Sequence, residues 1–170
     1  MPVHAVTTSE VIRMLRLALP DEVVLEPGQP GYAAATAPDN SSFVQRPAAV
    51  VQPGNPRDAS AAVAVARQAG RRVVVQATGH GSGTELNDDV LLLDTSRLGR
   101  VVVNPADRSA RVGAGATWAL VQRAIEPYGL LALSGTSPSV GVAGYTFAGG
   151  VGWLARPHGL ASGSLRRIEY

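Results

Sequence analysis

The stretch that decides the fold is residues 73–83, which read VVVQATGHGSG. Three consecutive valines predict a strand buried on both faces, because β-branched side chains suit a buried parallel sheet. The run then breaks into glycines on both sides of His80, and glycine lets the backbone approach a ligand closely. We therefore predict a strand over Arg72–Gln76 that delivers a ligand-binding loop with His80 at its centre.

The residues before this stretch predict a βαβ unit. Ala48–Val51 is a short apolar strand, and Asn55 followed by proline is typical of a helix N-terminus. The helix is predicted over Ala61–Ala69, so strand, helix and strand follow one another. The two strands of such a unit are parallel, and ligands bind beyond their carboxyl ends, where His80 lies.

The N-terminal part is predicted to be a helix followed by an irregular arm. A Thr-x-x-Glu capping box at Thr7 predicts a helix over about Thr8–Leu19. Residues 26–45 are rich in Pro, Gly, Asn, Ser and Ala without periodicity, as expected of an irregular segment. We therefore divide the chain into residues 1–44, the helix and arm, and residues 45–170, the main domain.

Beyond the loop, the pattern predicts mixed strands and one capped helix. Two strands flank an Asn-Pro-Ala-Asp turn and predict an antiparallel hairpin. Thr117 is predicted to cap a helix over Trp118–Glu126. The predicted strands of this part are Val90–Asp94, Arg100–Val103, Ser109–Val112, Leu130–Leu133 and Leu165–Tyr170.

A second glycine block, defined as residues 135–153, contains six glycines among nineteen residues. Such small side chains cannot pack a conventional core, so we expect something other than protein, most economically a cofactor, to fill the space beside them. Gly150-x-Gly152-x-x-Ala155 also matches the letters of the dinucleotide-binding fingerprint. No buried strand leads into it and Pro157 stops any helix, so a Rossmann site is not expected.

The composition excludes several classes of enzyme. All 15 basic residues are Arg, so there is no lysine for a Walker A motif or a pyridoxal Schiff base. The chain has no cysteine, which excludes a disulfide framework, a thiolate nucleophile and a Cys-ligated metal. The three histidines, His4, His80 and His158, are too few and too scattered for a zinc site, so no metal is expected.

Neither nucleic acid nor a membrane is an expected partner. The arginines are spread along the chain without a cluster, and no run approaches the ~20 apolar residues of a transmembrane helix. Met1–Pro20 carries charged residues inside its apolar pattern, unlike a secretory signal, so a cytoplasmic protein is expected. The glycosylation pattern at Asn40 is therefore interpreted as chance.

Each feature taken alone has a simpler interpretation. A single histidine in a loop is usually a hydrogen-bonded structural residue, and His80 alone would be interpreted that way. Gly113 and Gly115 fit a bulge and a turn before the capped helix, and Trp118 and Trp153 fit packing residues. Only the combination of these features favours a cofactor site.

Three segments, taken together in the order in which they follow along the chain, resemble the FAD-linked oxidases of the vanillyl-alcohol oxidase and p-cresol methylhydroxylase (PCMH) superfamily, in the berberine-bridge-enzyme-like branch. They are VQATGHGSG (75–83), VGAGATW (112–118) and LSGTSPSVGVAGYTFAGGVGWLARPHGL (133–160). The resemblance covers about residues 45–170 and implies an α+β fold of the FAD-binding PCMH type. Its expected parts are a small parallel βαβ subdomain up to about Val75 and a mixed, largely antiparallel subdomain, with FAD between them.

The resemblance also implies the cofactor contacts. In that family the first glycine loop wraps the FAD pyrophosphate, and its histidine, here His80, bonds covalently to the 8α-methyl group. Gln76 stands where many relatives carry Arg, and Ser137 where bicovalent members carry a second, cysteinyl link, so a single link is expected. The implied FAD contacts are Gln76, Ala77, Thr78, Gly79, His80, Gly81, Ser82, Gly113, Ser137, Gly141, Val142, Gly144, Tyr145, Gly149, Gly150 and Gly152.

The implied activity is oxidation of an alcohol or of a C–H or C–N bond in a small-molecule substrate, by hydride transfer to flavin N5 with O₂ as acceptor. Family members continue well beyond 170 residues, and their catalytic base tends to come from those later parts. An N-terminal fragment without a catalytic residue of its own is therefore implied. Two alternatives stay open: a non-catalytic flavin-binding remnant, and a noncovalent flavin reductase of the same fold, resembling the enolpyruvyl-glucosamine reductases.

Overall fold

A computed structural model describes residues 6–39 and 41–170, so the expectations about His4 and Asn40 lie outside the described residues. The chain divides into two compact units, the first ending at Arg97 and the second spanning Leu98–Tyr170. The first contains a four-stranded sheet and the second a two-stranded one, each with its own apolar cluster. The expected α+β class is confirmed.

The sheet of the first unit is mostly parallel. Its strands are β1 (Val24–Leu25), β2 (Ala49–Val51), β3 (Arg72–Gln76) and β4 (Val90–Asp94), in the order β1-β2-β4-β3. β4 pairs in parallel with both β2 and β3, while β1 is antiparallel to β2. The βαβ unit is thus confirmed, with β4 inserted between its two strands. The parallel part therefore extends beyond Val75, where we expected it to end.

The strand β3 lies at the edge of this sheet, and its predicted burial on both faces was wrong. Val73 packs against the apolar cluster on one face, but Val75, which points to the same side, is 62% exposed. All five residues of β4 are buried. The apolar run that fits a strand covered on both faces is therefore that of β4.

Two helices pack against one face of the sheet. The helix α1 (Thr8–Ala18) begins at the predicted capping box, in which Thr7 and Glu10 bond reciprocally. The first turn of α3 (Pro56–Gln68) is capped by the Asn55 side chain. Residues of both helices and of the sheet share one buried cluster, which includes Val11, Leu15, Val51, Ala62, Ala66 and Leu91.

The segment between β1 and β2 is largely irregular, as predicted. It contains one short helix, α2 (Tyr32–Ala35), and the Tyr32 hydroxyl donates a 2.6 Å hydrogen bond to the Pro47 carbonyl. This bond, together with apolar contacts of Tyr32 with the cluster around Val50 and Leu92, holds the arm against the sheet.

The second unit begins with the predicted hairpin, formed by β5 (Val101–Asn104) and β6 (Ser109–Val112). The helix α4 (Trp118–Ile125) follows, but the predicted side-chain cap by Thr117 was wrong. The carbonyl of Val140 instead accepts from the Trp118 N–H at 3.0 Å, and that of Pro138 from the Ala119 N–H at 2.8 Å. A distant loop thus satisfies donors that a local cap would otherwise bind.

The remaining second unit is made of short helices: α5 (Val142–Phe147), α6 (Ala155–His158) and 3₁₀ turns at Glu126–Tyr128 and Ala161–Ser164. The strands predicted over Leu130–Leu133 and Leu165–Tyr170 were wrong, because neither run pairs with a strand among the described residues. The only helix longer than eleven residues, among those described, is α3 with 13. No described helix combines the length and apolar character needed to cross a membrane.

Candidate functional site

The first glycine loop, defined as residues 77–83, follows the carboxyl end of β3. It turns at Gly79, which has a φ of +79°, and the Ser82 N–H donates to the Gly79 carbonyl at 3.0 Å. A Cβ at Gly79 would lie 3.3 Å from the Asp39 nitrogen and 3.4 Å from the Pro38 Cα. Glycine is therefore favoured here both by the left-handed backbone and by the close approach of the N-terminal arm.

His80, at the centre of the loop, contacts this arm. Its Nδ1 lies 3.0 Å from Oδ2 of Asp39, and the two side chains are 27% and 57% exposed. Our sequence analysis missed Asp39, because no periodicity or spacing links a residue of an irregular arm to a loop about forty positions later. Among the described residues, no group of three or more His, Asp or Glu side chains is placed to hold a metal ion.

Three polar side chains fix the base of the first glycine loop. Nε2 of Gln45 donates to Oε1 of Gln76 and to Oγ of Ser82, both at 3.2 Å, and the Ser82 hydroxyl donates to Gln76 Oε1 at 3.0 Å. Gln45 is only 7% exposed, and its own Oε1 has no hydrogen-bond partner within the described parts of the chain. Gln76 therefore serves as an acceptor that holds the loop, which an arginine at this position could not do.

The end of β4 provides a second anchor beside the loop. The Thr95 N–H donates to the Gln76 carbonyl at 2.8 Å. The buried Asp94 carboxylate accepts from Gln52 Nε2 at 2.6 Å and from the Ser96 N–H at 2.9 Å. The carboxyl ends of β3 and β4 are thus held together, and the first glycine loop starts from a fixed position.

Two glycines of the first glycine loop have open space beside them. A Cβ at Gly81 or Gly83 would meet no other atom within 4 Å. The N–H groups of Thr78, Gly81 and Gly83 make no hydrogen bond to the part of the chain that the structure describes. These donors are available to a ligand, and unpaired N–H groups favour one that carries hydrogen-bond acceptors.

The second glycine block is filled largely by protein. A Cβ at Gly150 would lie 2.6 Å from the Tyr145 ring and 2.7 Å from the Ala161 Cβ, and one at Gly135 would lie 2.9 Å from the same ring. A Cβ at Gly152 would lie 2.0 Å from the Ser134 carbonyl oxygen. For these three glycines, the expectation that something other than protein fills the adjacent space was wrong.

Tyr145 is the side chain around which these glycines pack. Its ring meets that of Trp118 edge to face, with centroids 5.4 Å apart and an interplanar angle of 87°. Burial raises the pKa of the Tyr145 phenol, because desolvation penalises the phenolate. The packing role of Trp118 is confirmed, while that of Trp153, which is 83% exposed, was wrong.

The structure explains Gly113 by close packing and shows no bulge there, since the hydrogen bonds of the hairpin continue past it in register. A Cβ there would lie 2.1 Å from the Leu98 carbonyl oxygen, and the Gly113 N–H donates to the Arg100 carbonyl at 2.8 Å. Close packing beside the hairpin therefore explains the glycine. A contact of Gly113 with FAD stays a prediction.

The other implied contacts of the second block lie on and around α5. Val142 and Gly141 are buried at its start, Gly144 has open space at its Cβ position, and the Ser137 and Ser139 hydroxyls lie 2.9 Å apart. Gly149 has a φ of +100° and borders Leu160. All lie in the second unit, whereas residues 76–82 lie in the first, and contacts of either set with FAD stay predictions.

Comparison with known proteins identifies related sequences and folds. A family model described as an FAD binding domain matches residues 47–170. The (R)-6-hydroxynicotine oxidase of Paenarthrobacter nicotinovorans is 29% identical over 143 residues, and berberine bridge enzyme-like 23 of Arabidopsis thaliana is 32% identical over 126 residues. These matches cover 84% and 69% of this chain.

Among solved structures, BBE-like 1 of Physcomitrella patens matches with a TM-score of 0.79 and 27% identity, over 90% of this chain. The chain spans only part of these proteins: 31% of the oxidase, 23% of the Arabidopsis protein and 34% of the moss structure. The similarity therefore concerns about a third or less of each relative.

Proposed function

The chain belongs to the FAD-binding domain family of the PCMH type, with berberine-bridge-enzyme-like relatives, and from this premise we propose that it binds FAD at the first glycine loop and carries it covalently on His80. The observation that supports the proposal most strongly is the open side of that loop. Gly81 and Gly83 expose their backbone there, next to a histidine that follows the carboxyl end of a parallel strand.

The donor set of the loop fits the diphosphate of FAD. Unpaired N–H groups at Thr78, Gly81 and Gly83 would donate hydrogen bonds to phosphate oxygens. No arginine or lysine lies within residues 76–83, so these contacts would be hydrogen bonds from neutral groups. We therefore expect the bond to His80 to contribute to cofactor retention.

Covalent attachment would use His80 as the nucleophile. His80 would hold FAD through a bond from an imidazole nitrogen to the 8α carbon, which would replace a C–H bond of the methyl group; the flavin would take up the two electrons and O₂ would reoxidise it. An imidazole in a loop whose base is held by Gln45, Gln76 and Ser82 is suited to this role. The absence of cysteine restricts the attachment to this single link.

For a complete protein containing this domain, we propose an oxidase that takes hydride from a small-molecule alcohol, C–H or C–N substrate. This rests on relatives such as the (R)-6-hydroxynicotine oxidase, of which the chain spans 31%. The role of these 170 residues is cofactor binding, and we assign no catalytic residue to them.

The proposal is tested by purifying the chain and recording its absorbance before and after acid precipitation. We expect a flavin spectrum that stays with the precipitated wild-type protein and is released to the supernatant by His80→Ala. His158→Ala, which removes an exposed histidine of the second unit, is the matched control and should retain the flavin. Complete release of flavin from the wild type would contradict covalent attachment, and a colourless protein that binds no added FAD would contradict the whole proposal.

A further inference from the structure

We infer that Gln45 is a positioning residue for cofactor binding: its side-chain amide closes the base of the first glycine loop and so holds the N–H donors of the loop in place for a ligand. This inference rests on the proposed function and adds to it a residue outside the loop. Gln45 precedes Gln76 by 31 positions and ends the segment that we expected to be irregular, so it carried no predicted role.

The side-chain amide of Gln45 joins the two ends of the loop. Its Nε2 donates at 3.2 Å to Oε1 of Gln76, directly before the loop, and at 3.2 Å to Oγ of Ser82, near the end of the loop. The Ser82 hydroxyl donates in turn to Gln76 Oε1 at 3.0 Å, so the three side chains close a ring of hydrogen bonds. Residues 77–81 are thus held at both ends by one side chain.

The backbone of Gln45 is fixed independently of this side chain. Gln45 forms a parallel bridge with Leu86. The Leu86 N–H donates to the Val44 carbonyl at 3.1 Å, and the Arg46 N–H donates to the Leu86 carbonyl at 2.7 Å. Leu86 is 4% exposed and belongs to a buried apolar cluster of the first unit. Removing the amide of Gln45 should therefore release the loop and leave the backbone at residue 45 in place.

The oxygen of the same amide is buried without a partner. Gln45 is 7% exposed, and its Oε1 makes no hydrogen bond to any residue that the structure describes. A buried acceptor without a donor destabilises a fold, and an apolar side chain of the same shape would not carry that cost. The two bonds that Nε2 makes to the base of the loop offset the cost. The contribution of Gln45 is therefore to order the loop rather than to stabilise the fold.

A loop that is ordered before the ligand arrives binds it more tightly. Thr78 and Gly81 lie between the two held ends, and their N–H groups make no hydrogen bond within the described parts of the chain. A flexible loop loses conformational entropy when it binds a ligand, and a loop that is already ordered loses less. The Gln45 amide would therefore increase the affinity of the loop for FAD.

The first test needs no cofactor. Hydrogen exchange, followed by NMR on the labelled chain, compares the wild type with Gln45→Met, which keeps the length of the side chain and removes its hydrogen bonds. The Ser82 N–H donates to the Gly79 carbonyl within the loop, and it should exchange about tenfold faster in the variant because the loop opens more often. The Leu86 N–H should keep its rate, because its bond to the Val44 carbonyl does not involve the side chain.

The second test measures reversible FAD affinity by flavin fluorescence in the His80→Ala background. Adding Gln45→Met should weaken binding by about tenfold, while the urea midpoint stays equal to that of the parent or rises, because the unpaired oxygen is removed as well. Gln122→Met is the matched control, since Nε2 of Gln122 donates to the Ser134 hydroxyl in the second unit at 3.0 Å. It removes a similar bond and should change neither the FAD affinity nor the exchange of Ser82.

The outcomes separate a positioning role from a structural one. The inference would be overturned if Gln45→Met left Ser82 exchange and FAD affinity unchanged. It would also be overturned if the variant accelerated Leu86 exchange equally or lowered the urea midpoint in parallel with the affinity, because either result would show a structural role. If the His80→Ala parent binds no FAD, the proposed function is contradicted, and Ser82 exchange alone then decides whether Gln45 orders the loop.

Discussion

Gly81 and Gly83 of the first glycine loop differ from Gly150 and Gly152 of the second glycine block in what surrounds them. A Cβ at Gly81 or Gly83 would meet no atom within 4 Å, whereas one at Gly152 would lie 2.0 Å from a carbonyl oxygen and one at Gly150 2.6 Å from an aromatic ring. The same residue type thus leaves space open at some positions and permits close packing at others.

This difference shows that glycine content by itself does not indicate a ligand. In the second block, the Tyr145 ring occupies the space that side chains at Gly135 and Gly150 would need. The Ser134 carbonyl occupies the space that a side chain at Gly152 would need. In the first loop, the open positions coincide with unpaired N–H groups. Open Cβ space and free donors together, rather than glycine alone, favour a cofactor at the first loop.

The largest effect is expected from Gly152→Ala. The added methyl group would overlap the Ser134 carbonyl, which belongs to the backbone and cannot rotate away, so we expect a loss of about 3 kcal/mol in the free energy of unfolding. Gly144→Ala, in α5 with open space at its Cβ, is the control and should not destabilise the fold. Urea unfolding measures both, and equal stability of the two variants would remove the contrast between packed and open glycines.

An intermediate effect is expected from Gly79→Ala. The φ of +79° disfavours alanine and the new Cβ would press on the arm, so a loss of about 1 to 2 kcal/mol in unfolding free energy is expected. The arm should also move away from the loop, because the new Cβ would lie 3.3 Å from the Asp39 nitrogen. Thermal unfolding measures the loss, and a stability equal to that of the wild type would contradict it.

A smaller effect on stability, with a clear effect on binding, is expected from Gly81→Ala. No atom opposes its Cβ, so the free energy of unfolding should change by no more than about 0.5 kcal/mol. The methyl group would nevertheless occupy the open side of the loop and weaken reversible FAD binding. Fluorescence titration of added FAD tests this in the His80→Ala background, and unchanged affinity would place the cofactor elsewhere.

The smallest effect concerns the strand that carries the first glycine loop. Arg72 of β3 bonds Asp89 at 2.9 Å, and this hydrogen bond lowers the pKa of Asp89 below its ordinary value of 3.8. A carboxylate with a lowered folded-state pKa stabilises the fold above its unfolded-state pKa, and the contribution is lost as pH falls through the folded-state value. Asp89→Asn should therefore be less stable than wild type at pH 7, with a difference that shrinks below about pH 4. A difference in urea midpoint that grows on acidification would contradict this sign.

Features encoded by neighbouring residues could be predicted from the sequence. The Thr7 capping box, the Asn55 cap and the hairpin around the Asn-Pro-Ala-Asp turn each depend on side chains within a few positions of one another. The βαβ unit followed from the order of these local signals. His80 in a glycine-rich loop after a strand was predicted for the same reason.

Features that depend on distant partners could not be predicted in this way. The insertion of β4 between β2 and β3 is set by sheet pairing, and the donors at the start of α4 are satisfied by the loop at Pro138 and Val140 instead of by Thr117. The contact between Asp39 and His80 likewise joins an arm without periodicity to a loop far along the chain. In each case the partner is identified only once the chain is folded.

The most direct measurement is a peptide map of the acid-denatured, flavin-loaded protein. Because the chain has no lysine, trypsin cleavage after Arg72 and Arg97 yields one peptide, residues 73–97, that contains the whole first glycine loop. We predict that this peptide alone carries the added mass of FAD and that fragmentation places it on His80. Flavin on a peptide from the second glycine block, or on none, would contradict the assignment of the cofactor to the first loop.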